Sequence, residues 1–241
     1  MTTRRILATS GGFLPTERWD VARPGAIMAE ALRLTGKTRP RVTLVMTASG
    51  DDRGYLLRTY SAFTGWSVDV QHLELFSQPN LEPRDAILGS DLVWVGGGSV
   101  ANLLAVWRVH RLDRLFVEAW DAGIILAGVS AGSLCWHVGG TTDSFGPQLR
   151  AVTDGLALLP YGNGVHYDSE AQRRPLLHSL VNDSTLPLSY ATDDGIGILY
   201  EGTDPVAVLS DVPTADDGPA AYRVERVGGD VVETRLSVGR V

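Results

Sequence analysis

The residues best suited to chemistry form a G-x-S-x-G motif at residues 128–132. The apolar residues 124–127 directly before it predict a buried strand, and the residues after it are compatible with a helix. A strand, a sharp turn and a helix in this order form a nucleophile elbow, which presents a serine hydroxyl at the carboxyl edge of a sheet. The glycines of the motif have no side chains to obstruct such a turn. Ser130 is therefore the candidate nucleophile, and the amide of Ala131 at the helix start is a candidate donor to a developing oxyanion.

A serine hydroxyl needs a base to remove its proton, and His166 is the best candidate among the five histidines. It lies in a glycine-flanked segment, residues 162–168, which predicts a loop, and catalytic side chains are commonly found on loops. His137 is expected on the helix that begins at Ser130, and seven residues along a helix axis span about 10 Å, which is too far for a base. The remaining histidines are expected to be structural or surface residues: His72, His110 and His178.

The histidine in turn needs a carboxylate that holds its tautomer and stabilises the imidazolium. Two candidates follow: Asp194, in a Thr-Asp-Asp-Gly segment, and Asp143, in a Thr-Thr-Asp-Ser segment. Asp168 is so close in sequence to His166 that it is not the first choice. Residue types and spacing leave the choice between Asp143 and Asp194 open. With Asp194 the order is Ser…His…Asp, which differs from the Ser…Asp…His order of the α/β-hydrolases. With Asp143 the order is the same, but Asp143 and His166 are only 23 positions apart, and the α/β-hydrolase histidine normally comes near the chain end.

The elements that would position these residues alternate between strand and helix in the first half of the chain. Strands are predicted at residues 4–9, 41–47, 67–75, 91–95 and 124–127, and helices at 24–34, 52–63, 83–88, 100–107 and 112–119. Such alternation predicts a parallel sheet covered by helices on both faces, with function at the carboxyl ends of the strands. The Gly96-Gly97-Gly98 turn and the Ser130 elbow each end one of these strands, so we expect them to lie near each other.

The second half of the chain has a looser pattern. A helix is predicted near residues 175–181, and short strands at 196–200, 205–209 and 220–234, the last with a Gly-Gly-Asp hairpin turn at 228–230. No repeat, low-complexity segment or linker composition separates the halves. The prediction is therefore a single domain over residues 1–241.

Composition and charge narrow the classes of partner. Of the 241 residues, 44% are hydrophobic and 20% are charged, which is typical of a globular protein with a sizeable core. The net charge of −7 argues against nucleic acid or an anionic membrane as partner. No apolar run is long enough to span a membrane, and the first residues lack an apolar signal core.

The single cysteine cannot form an internal disulfide, which favours a cytoplasmic location. Since no group of residues has the spacing of a metal site, neither a metal nor a cofactor is expected.

Six short segments, taken in order, resemble peptidase family S51, the serine peptidases that include aspartyl dipeptidase (peptidase E) and cyanophycinase. The segments cover about residues 90–200 and are Val95-Gly96-Gly97-Gly98, Leu103-Leu104-Ala105-Val106-Trp107-Arg108, Gly128-Val129-Ser130-Ala131-Gly132, Thr141-Thr142-Asp143, His166-Tyr167-Asp168 and Asp193-Asp194-Gly195. The resemblance implies an α/β fold similar to the class I glutamine amidotransferases. In that fold a three-layer, flavodoxin-like, mostly parallel sheet is flanked by helices, here with short C-terminal strands.

The resemblance also implies roles for individual residues. Ser130 corresponds to the nucleophile and His166 to the base. The third member maps to Asp194, and a competing assignment maps it to Asp143. The oxyanion would be bound by the amides of Gly98 and Ala131.

The substrate implied by the resemblance is a small peptide. Family dipeptidases favour an N-terminal aspartate, whose side-chain carboxylate requires a cationic pocket. Arg108 and Arg173 are the candidates for it, with Arg150 and Arg174 also available.

The sequence thus predicts a serine peptidase, either a dipeptidase or an exopeptidase that releases an N-terminal acidic residue, acting as a monomer or homodimer. Two alternatives remain: a serine esterase or amidase with the same machinery, and a non-catalytic flavodoxin-like module that binds an anion at the glycine turn.

Overall fold

The computed structural model describes residues 2–213, 215 and 217–241. Its strands are β1 (Arg5–Thr9), β2 (Phe13–Pro15), β3 (Ala22–Pro24), β4 (Arg41–Val45), β5 (Asp69–Leu73), β6 (Leu92–Val95), β7 (Ile125–Val129), β8 (His137–Thr142), β9 (Arg150–Val152), β10 (Leu159–Gly164), β11 (Ser189–Thr192), β12 (Ile196–Glu201), β13 (Asp204–Ser210), β14 (Ala221–Val227), β15 (Asp230–Leu236) and β16 (Gly239–Arg240). Its helices are α1 (Ala26–Leu34), α2 (Arg53–Ala62), α3 (Pro83–Leu88), α4 (Val100–Val109), α5 (Leu112–Asp121), α6 (Ala131–Leu134) and α7 (Arg173–Asn182), with a 3-10 turn at Thr47–Ser49.

The larger sheet has eight strands in the order β16-β13-β12-β1-β7-β6-β4-β5. The five strands from β1 to β5 in that order run parallel, so their carboxyl ends share one edge. The remaining three strands pair antiparallel, beginning with β12 against β1. The predicted α/β class with a mostly parallel sheet flanked by helices is confirmed.

Apolar side chains alternate between the two faces of this sheet, because successive strand residues point to opposite sides. In β1, Ile6 and Ala8 belong to the core that includes α4 and α5, whereas Leu7 belongs to the core that includes α1 and α2. Both faces of the central strands are therefore buried. The consequence for the site is a rigid scaffold whose polar groups are concentrated at the strand ends.

A second sheet, of six strands in the order β15-β14-β11-β10-β8-β9, was not expected from the sequence. Strands β8 and β9 and strand β10 occupy the segment with the looser pattern. The helix after the elbow ends at Leu134, so the expectation that His137 lies along that helix is wrong; His137 begins β8. Trp136 packs its ring against Trp107 and Phe116, at centroid distances of 5.8 and 5.2 Å. This tertiary packing directs the chain out of the helix and into the second sheet.

The two sheets share one hydrophobic cluster, which contains Ile6 of the first sheet and Leu159 of the second. The predicted hairpin turn at residues 228–230 is confirmed between β14 and β15, where Val227 pairs with Asp230. The extent of the single domain, residues 1–241, stays a prediction. None of the helices in the described part of the chain combines the length and apolar character needed to cross a bilayer.

Candidate active site

Ser130 occupies the sharp turn between β7 and α6. Its φ of 58° and ψ of −114° are unusual for a residue with a side chain. The turn is held from both sides: the Ser130 amide donates to Thr9 O at 3.0 Å, and the Ser130 carbonyl accepts from Ser133 N and Leu134 N at 2.9 Å each. A strained backbone fixed in this way is characteristic of functional positions.

The flanking glycines of the elbow are required by close backbone contacts. A Cβ atom at Gly132 would lie 2.2 Å from Val95 O, and one at Gly128 would lie 2.4 Å from Gly132 O. Both separations are far below van der Waals contact. The G-x-S-x-G spacing is therefore dictated by how tightly β7 and α6 approach β6.

The glycine turn after β6 lies directly beside the elbow, as the sequence predicted. A Cβ atom at Gly97 would lie 3.2 Å from Ser130 Cβ. Gly98 has a φ of 135°, and a Cβ atom there would lie 2.3 Å from Ala48 O. Among the described residues, neither the Gly98 amide nor the Ala131 amide has a hydrogen-bond acceptor. Two unused donors near a serine are what an oxyanion hole requires.

His166 follows β10 and is hydrogen-bonded to a carboxylate. Its Nδ1 donates to Asp194 Oδ1 at 2.5 Å, and the side chains of the two residues are 25% and 50% exposed. Because an ionised carboxylate only accepts, Nδ1 carries the proton and Nε2 is the nitrogen that can act as a base. The Asp194 amide donates to Asp168 Oδ1 at 2.9 Å, so Asp168 supports the loop of Asp194.

The carboxyl end of β1 brings these groups to one place. Thr9 O accepts from the Ser130 amide at 3.0 Å, and the next residue, Ser10, accepts the His166 amide on its Oγ at 3.1 Å. The Ser10 carbonyl accepts from Gly195 N at 3.0 Å. The backbones of the serine, the histidine and the residue after the aspartate are thus tied to two consecutive residues. In the described part of the chain, the Ser130 hydroxyl makes no hydrogen bond to the imidazole; such contacts often tighten only when substrate binds.

A sequence model of peptidase family S51 matches residues 6–207, from β1 into β13. The chain belongs to peptidase family S51. It is therefore an enzyme of the hydrolase class, a peptidase, and not a non-catalytic anion-binding module.

Individual relatives of this S51 peptidase agree with that assignment. It is 33% identical over 235 residues to the uncharacterized peptidase YgaJ of Bacillus subtilis (strain 168), covering 98% of each chain. It is 30% identical over 141 residues to Peptidase E of Shewanella amazonensis (strain ATCC BAA-1098 / SB2B), covering 54% of this chain and 58% of that protein.

Two solved structures share the fold. A peptidase E-type protein from Listeria monocytogenes EGD-e superposes with a TM-score of 0.60 at 17% identity, over 98% of this chain and 100% of that one. A peptidase from an acI-B1 Actinobacterium superposes with a TM-score of 0.69 at 16% identity, over 98% and 95%. The resemblance to family S51 and to its fold is confirmed.

The competing candidate for the acid, Asp143, makes no hydrogen bond or ion pair with the imidazole in the described part of the chain. Its side chain is 63% exposed, and its nearest charged partner is Arg173, with Nη2 4.0 Å from Oδ1. Arg173 itself is only 3% exposed; it pairs with Glu170 at 2.8 Å and donates to the Thr141 carbonyl. A buried guanidinium with these partners holds α7 to β8.

The arginines proposed from the sequence for substrate binding are engaged elsewhere. Arg108, near the end of α4, pairs with Asp154 at 2.7 Å and donates to the Asp154 carbonyl. Arg174 pairs with Glu233 at 2.8 Å and lies over the ring of Tyr167, the residue after His166. The same glutamate accepts from the Tyr167 hydroxyl at 2.7 Å. Arg174 therefore supports the His166 loop, and the guanidinium of Arg108 is engaged by Asp154.

Sequence reasoning missed two contributions to the site, from Ser10 and from α2. Ser10 directly follows the strand predicted at residues 4–9, and a polar residue at the carboxyl end of a parallel strand is a usable signal for a site. On α2, the Tyr55 hydroxyl accepts from Gly97 N at 3.5 Å, and burial raises the pKa of Tyr55. Tyr55 and Arg58 share one face of α2 by their i, i+3 spacing, but nothing in the sequence shows what that face contacts.

The described residues contain no group of three His, Cys, Asp or Glu side chains arranged to hold a metal ion. The residues tied to the end of β1 carry a hydroxyl and an imidazole with its carboxylate, and the unused amides belong to the elbow and to the glycine turn beside it. Their chemistry is that of nucleophilic acyl transfer.

Proposed function

We propose that this S51 peptidase is a serine peptidase that hydrolyses small peptides through an acyl-enzyme. Ser130 is the nucleophile, His166 is the general base and Asp194 orients the imidazole. The amides of Gly98 and Ala131 bind the oxyanion. The observation that carries the proposal is the 2.5 Å hydrogen bond from His166 Nδ1 to Asp194 Oδ1, on an imidazole whose backbone is tied to the same strand end as Ser130.

The reaction follows from these groups. His166 Nε2 takes the proton of the Ser130 hydroxyl as the oxygen attacks the scissile carbonyl carbon. The carbonyl oxygen becomes an oxyanion and accepts from the two amides. When the C–N bond breaks, the imidazolium gives its proton to the leaving amine, and an ester to Ser130 remains. A water molecule, deprotonated by the same nitrogen, attacks this ester and regenerates the serine.

The finer assignment is a dipeptidase or exopeptidase that releases an N-terminal acidic residue. This assignment rests on membership of family S51. We also propose that the protein is cytoplasmic and that it acts as a monomer or homodimer. A serine esterase or amidase on the same scaffold is the alternative that the substrate panel below tests.

The nucleophile is tested with a fluorophosphonate probe, followed by mass spectrometry of the labelled peptide. We expect one adduct, on Ser130, and none in Ser130→Ala. Ser133→Ala is the matched control, because Ser133 lies on α6 and its hydroxyl is directed to Asn163 Oδ1 at 3.2 Å. Labelling of another residue, or undiminished labelling of Ser130→Ala, would refute the proposed nucleophile.

The leaving group is tested by a panel of dipeptides and acyl esters. Hydrolysis of dipeptides with loss of activity in Ser130→Ala supports the peptidase. Turnover of esters with no turnover of any peptide would replace it with an esterase.

A further inference from the structure

A carboxylate at the end of β13, that of Asp211, is bonded to two other segments of the chain. Gly12 N donates to its Oδ2 at 2.5 Å, and Ile27 N donates to its Oδ1 at 2.8 Å. The Asp211 amide donates to the Gly195 carbonyl at 2.8 Å. We propose that Asp211 is a positioning residue of the active site, which holds the loop after β1 against the loop that carries the orienting acid. The inference rests on the proposed serine peptidase.

The loop after β1, residues 10–12, contacts both sides of the histidine–carboxylate pair. Ser10 Oγ accepts from the His166 amide at 3.1 Å and lies 2.7 Å from Thr192 Oγ1. The Ser10 carbonyl accepts from Gly195 N at 3.0 Å, and the Ser10 amide donates to Ile196 O at 2.8 Å. The position of Ser10 therefore determines where the imidazole lies relative to the loop between β11 and β12.

Asp211 binds both of these loops close to the reacting groups. Gly12 is two residues after Ser10, and Gly195 directly follows Asp194. The bond from the Asp211 amide to Gly195 extends the β12–β13 pairing by one residue beyond Ile196 and Ser210. One residue thus bonds to the first loop through its side chain and to the second through its backbone. The two loops cannot separate without breaking one of these bonds.

The surrounding glycines leave room for this carboxylate and for no other side chain. A Cβ atom at Gly25 would lie 2.2 Å from Asp211 Oδ1. A Cβ atom at Gly11 would lie 2.7 Å from Asp211 Oδ2 and 2.9 Å from Gly195 Cα. All three separations are shorter than van der Waals contact. The Ser-Gly-Gly segment after β1 is therefore required by the close approach of Asp211 and the acid loop.

The same carboxylate also caps a helix. The N-cap of α1 is Gly25, which has no side chain to bind the free amides of the first turn, and Asp211 Oδ1 accepts one of them, that of Ile27. A carboxylate at this end of a helix is stabilising. Loss of Asp211 would therefore lower stability as well, and the test has to distinguish lost stability from lost positioning.

The main variant is Asp211→Asn, which keeps the shape of the side chain. Its side-chain nitrogen can only donate, so one of the two backbone amides loses its acceptor. We expect kcat for the best dipeptide of the panel to fall about 10- to 100-fold, because a displacement of about 1 Å in a catalytic group can cost about 100-fold. The rate of fluorophosphonate labelling should fall with it. KM should change little, because Asp211 acts on the reacting groups.

A second variant, Gly25→Ala, displaces the carboxylate without removing it. The φ of Gly25 is −85°, which alanine adopts without strain, so the effect comes from the contact with Asp211. We expect a loss of kcat in the same direction. If Asp211→Asn does not fold, Gly25→Ala decides the outcome.

The matched control is Asp91→Asn, at the amino edge of the sheet. Asp91 Oδ2 accepts from Arg41 N at 2.9 Å, and the Asp91 amide donates to Arg41 O at 2.9 Å. Like Asp211, it is a half-buried aspartate that joins two segments through its side chain and its backbone. Urea unfolding of both variants measures the lost stability. We expect Asp91→Asn to keep the kcat of the wild type.

Proton NMR gives a measurement of position that needs no substrate. The proton on His166 Nδ1 lies in a hydrogen bond of 2.5 Å and is expected to resonate far downfield; its signal is assigned by its loss in Asp194→Asn. Asp211→Asn and Gly25→Ala should shift or broaden this signal, and Asp91→Asn should leave it unchanged.

The outcomes separate the two proposals. Wild-type kcat and an unchanged signal in Asp211→Asn and Gly25→Ala would overturn the positioning role, while labelling of Ser130 would leave the serine peptidase standing. A loss of kcat with an unchanged signal, an equal loss in Asp91→Asn, or failure of both variants to fold would overturn the positioning role as well. Absence of labelling in the wild type would refute the peptidase mechanism, and the NMR signal would still show whether Asp211 positions the pair.

Discussion

Replacing Asp194 by asparagine tests how the imidazole is held. The substitution keeps the size of the side chain and removes its charge. His166 Nδ1, which now lies 2.5 Å from Asp194 Oδ1, would then lie beside a side-chain amide that can donate as well as accept. If the amide donates to Nδ1, the imidazole proton moves to Nε2, and this tautomer cannot act as the base. The amide of residue 194 still reaches Asp168, because that contact belongs to the backbone. The loop should therefore stay in place.

The expected loss in kcat is about 10²- to 10⁴-fold. The corresponding substitution in a serine protease triad lowers kcat by about 10⁴, equivalent to about 5 kcal/mol of transition-state stabilisation. Here the Asp194 side chain is 50% exposed, and water screens its attraction for the imidazolium. Screening reduces the part of the loss in kcat that comes from charge stabilisation of the imidazolium, and this sets the lower end of the range. The part that comes from the wrong tautomer does not depend on screening.

The assay is steady-state hydrolysis of a dipeptide, with the rate of fluorophosphonate labelling as a second measurement. Asp143→Asn is run in parallel, because Asp143 is the other acid proposed from the sequence and its nearest charged partner is Arg173, 4.0 Å away. We expect Asp143→Asn to retain activity within a few-fold. A large loss in Asp143→Asn, with Asp194→Asn within threefold of wild type, would show that Asp194 is not the orienting acid.

Two further predictions concern stability. The free energy of unfolding of Ser130→Gly should exceed that of Ser130→Ala by about 1 kcal/mol, because only glycine adopts a φ of 58° with this ψ without strain. The difference would appear as a higher urea midpoint for Ser130→Gly, and equal midpoints would show that the turn is unstrained. Burial lowers the pKa of His137 from 6.5 to about 4. As the pH falls, the His137 imidazole is therefore protonated in the unfolded chain before it is protonated in the folded protein. The stability contributed by the neutral ring is complete above pH 6.5 and declines as the pH falls toward 4, by about 2 kcal/mol at pH 5. Urea unfolding at pH 7 and 5 should show this decline in wild type and a smaller one in His137→Gln; the same decline in both would exclude His137 as the cause.

The elbow and the parallel strands could be predicted from sequence because the signals are local. A short apolar run bounded by glycine or other small residues favours a buried strand followed by a tight turn. The predicted strands at 4–9, 41–47, 91–95 and 124–127 correspond to β1, β4, β6 and β7. The glycines of the elbow were predicted to relieve crowding, and the 2.2 Å approach of a Cβ at Gly132 to Val95 O gives the reason.

The second sheet could not be predicted in this way. No proline lies between Ala131 and Trp136, yet α6 ends at Leu134. The competing interactions are long-range: Trp136 O accepts from Leu159 N, and its ring packs on Trp107. Burying a tryptophan between distant elements outweighs a continued helix, and local propensity contains no information about those elements.

The sequence by itself determined which residue types were available for chemistry: one serine in an elbow, one histidine in a glycine-flanked loop and two candidate acids. Tertiary structure alone decided that Asp194, 28 positions from His166, is the carboxylate bonded to it, and that the Asp211 carboxylate is bonded to the loop after β1. The physical reason is that a strand or a turn is encoded in neighbouring residues. Contacts between separate loops depend instead on how β1, β10, β11 and β13 pack, which is a property of the whole chain.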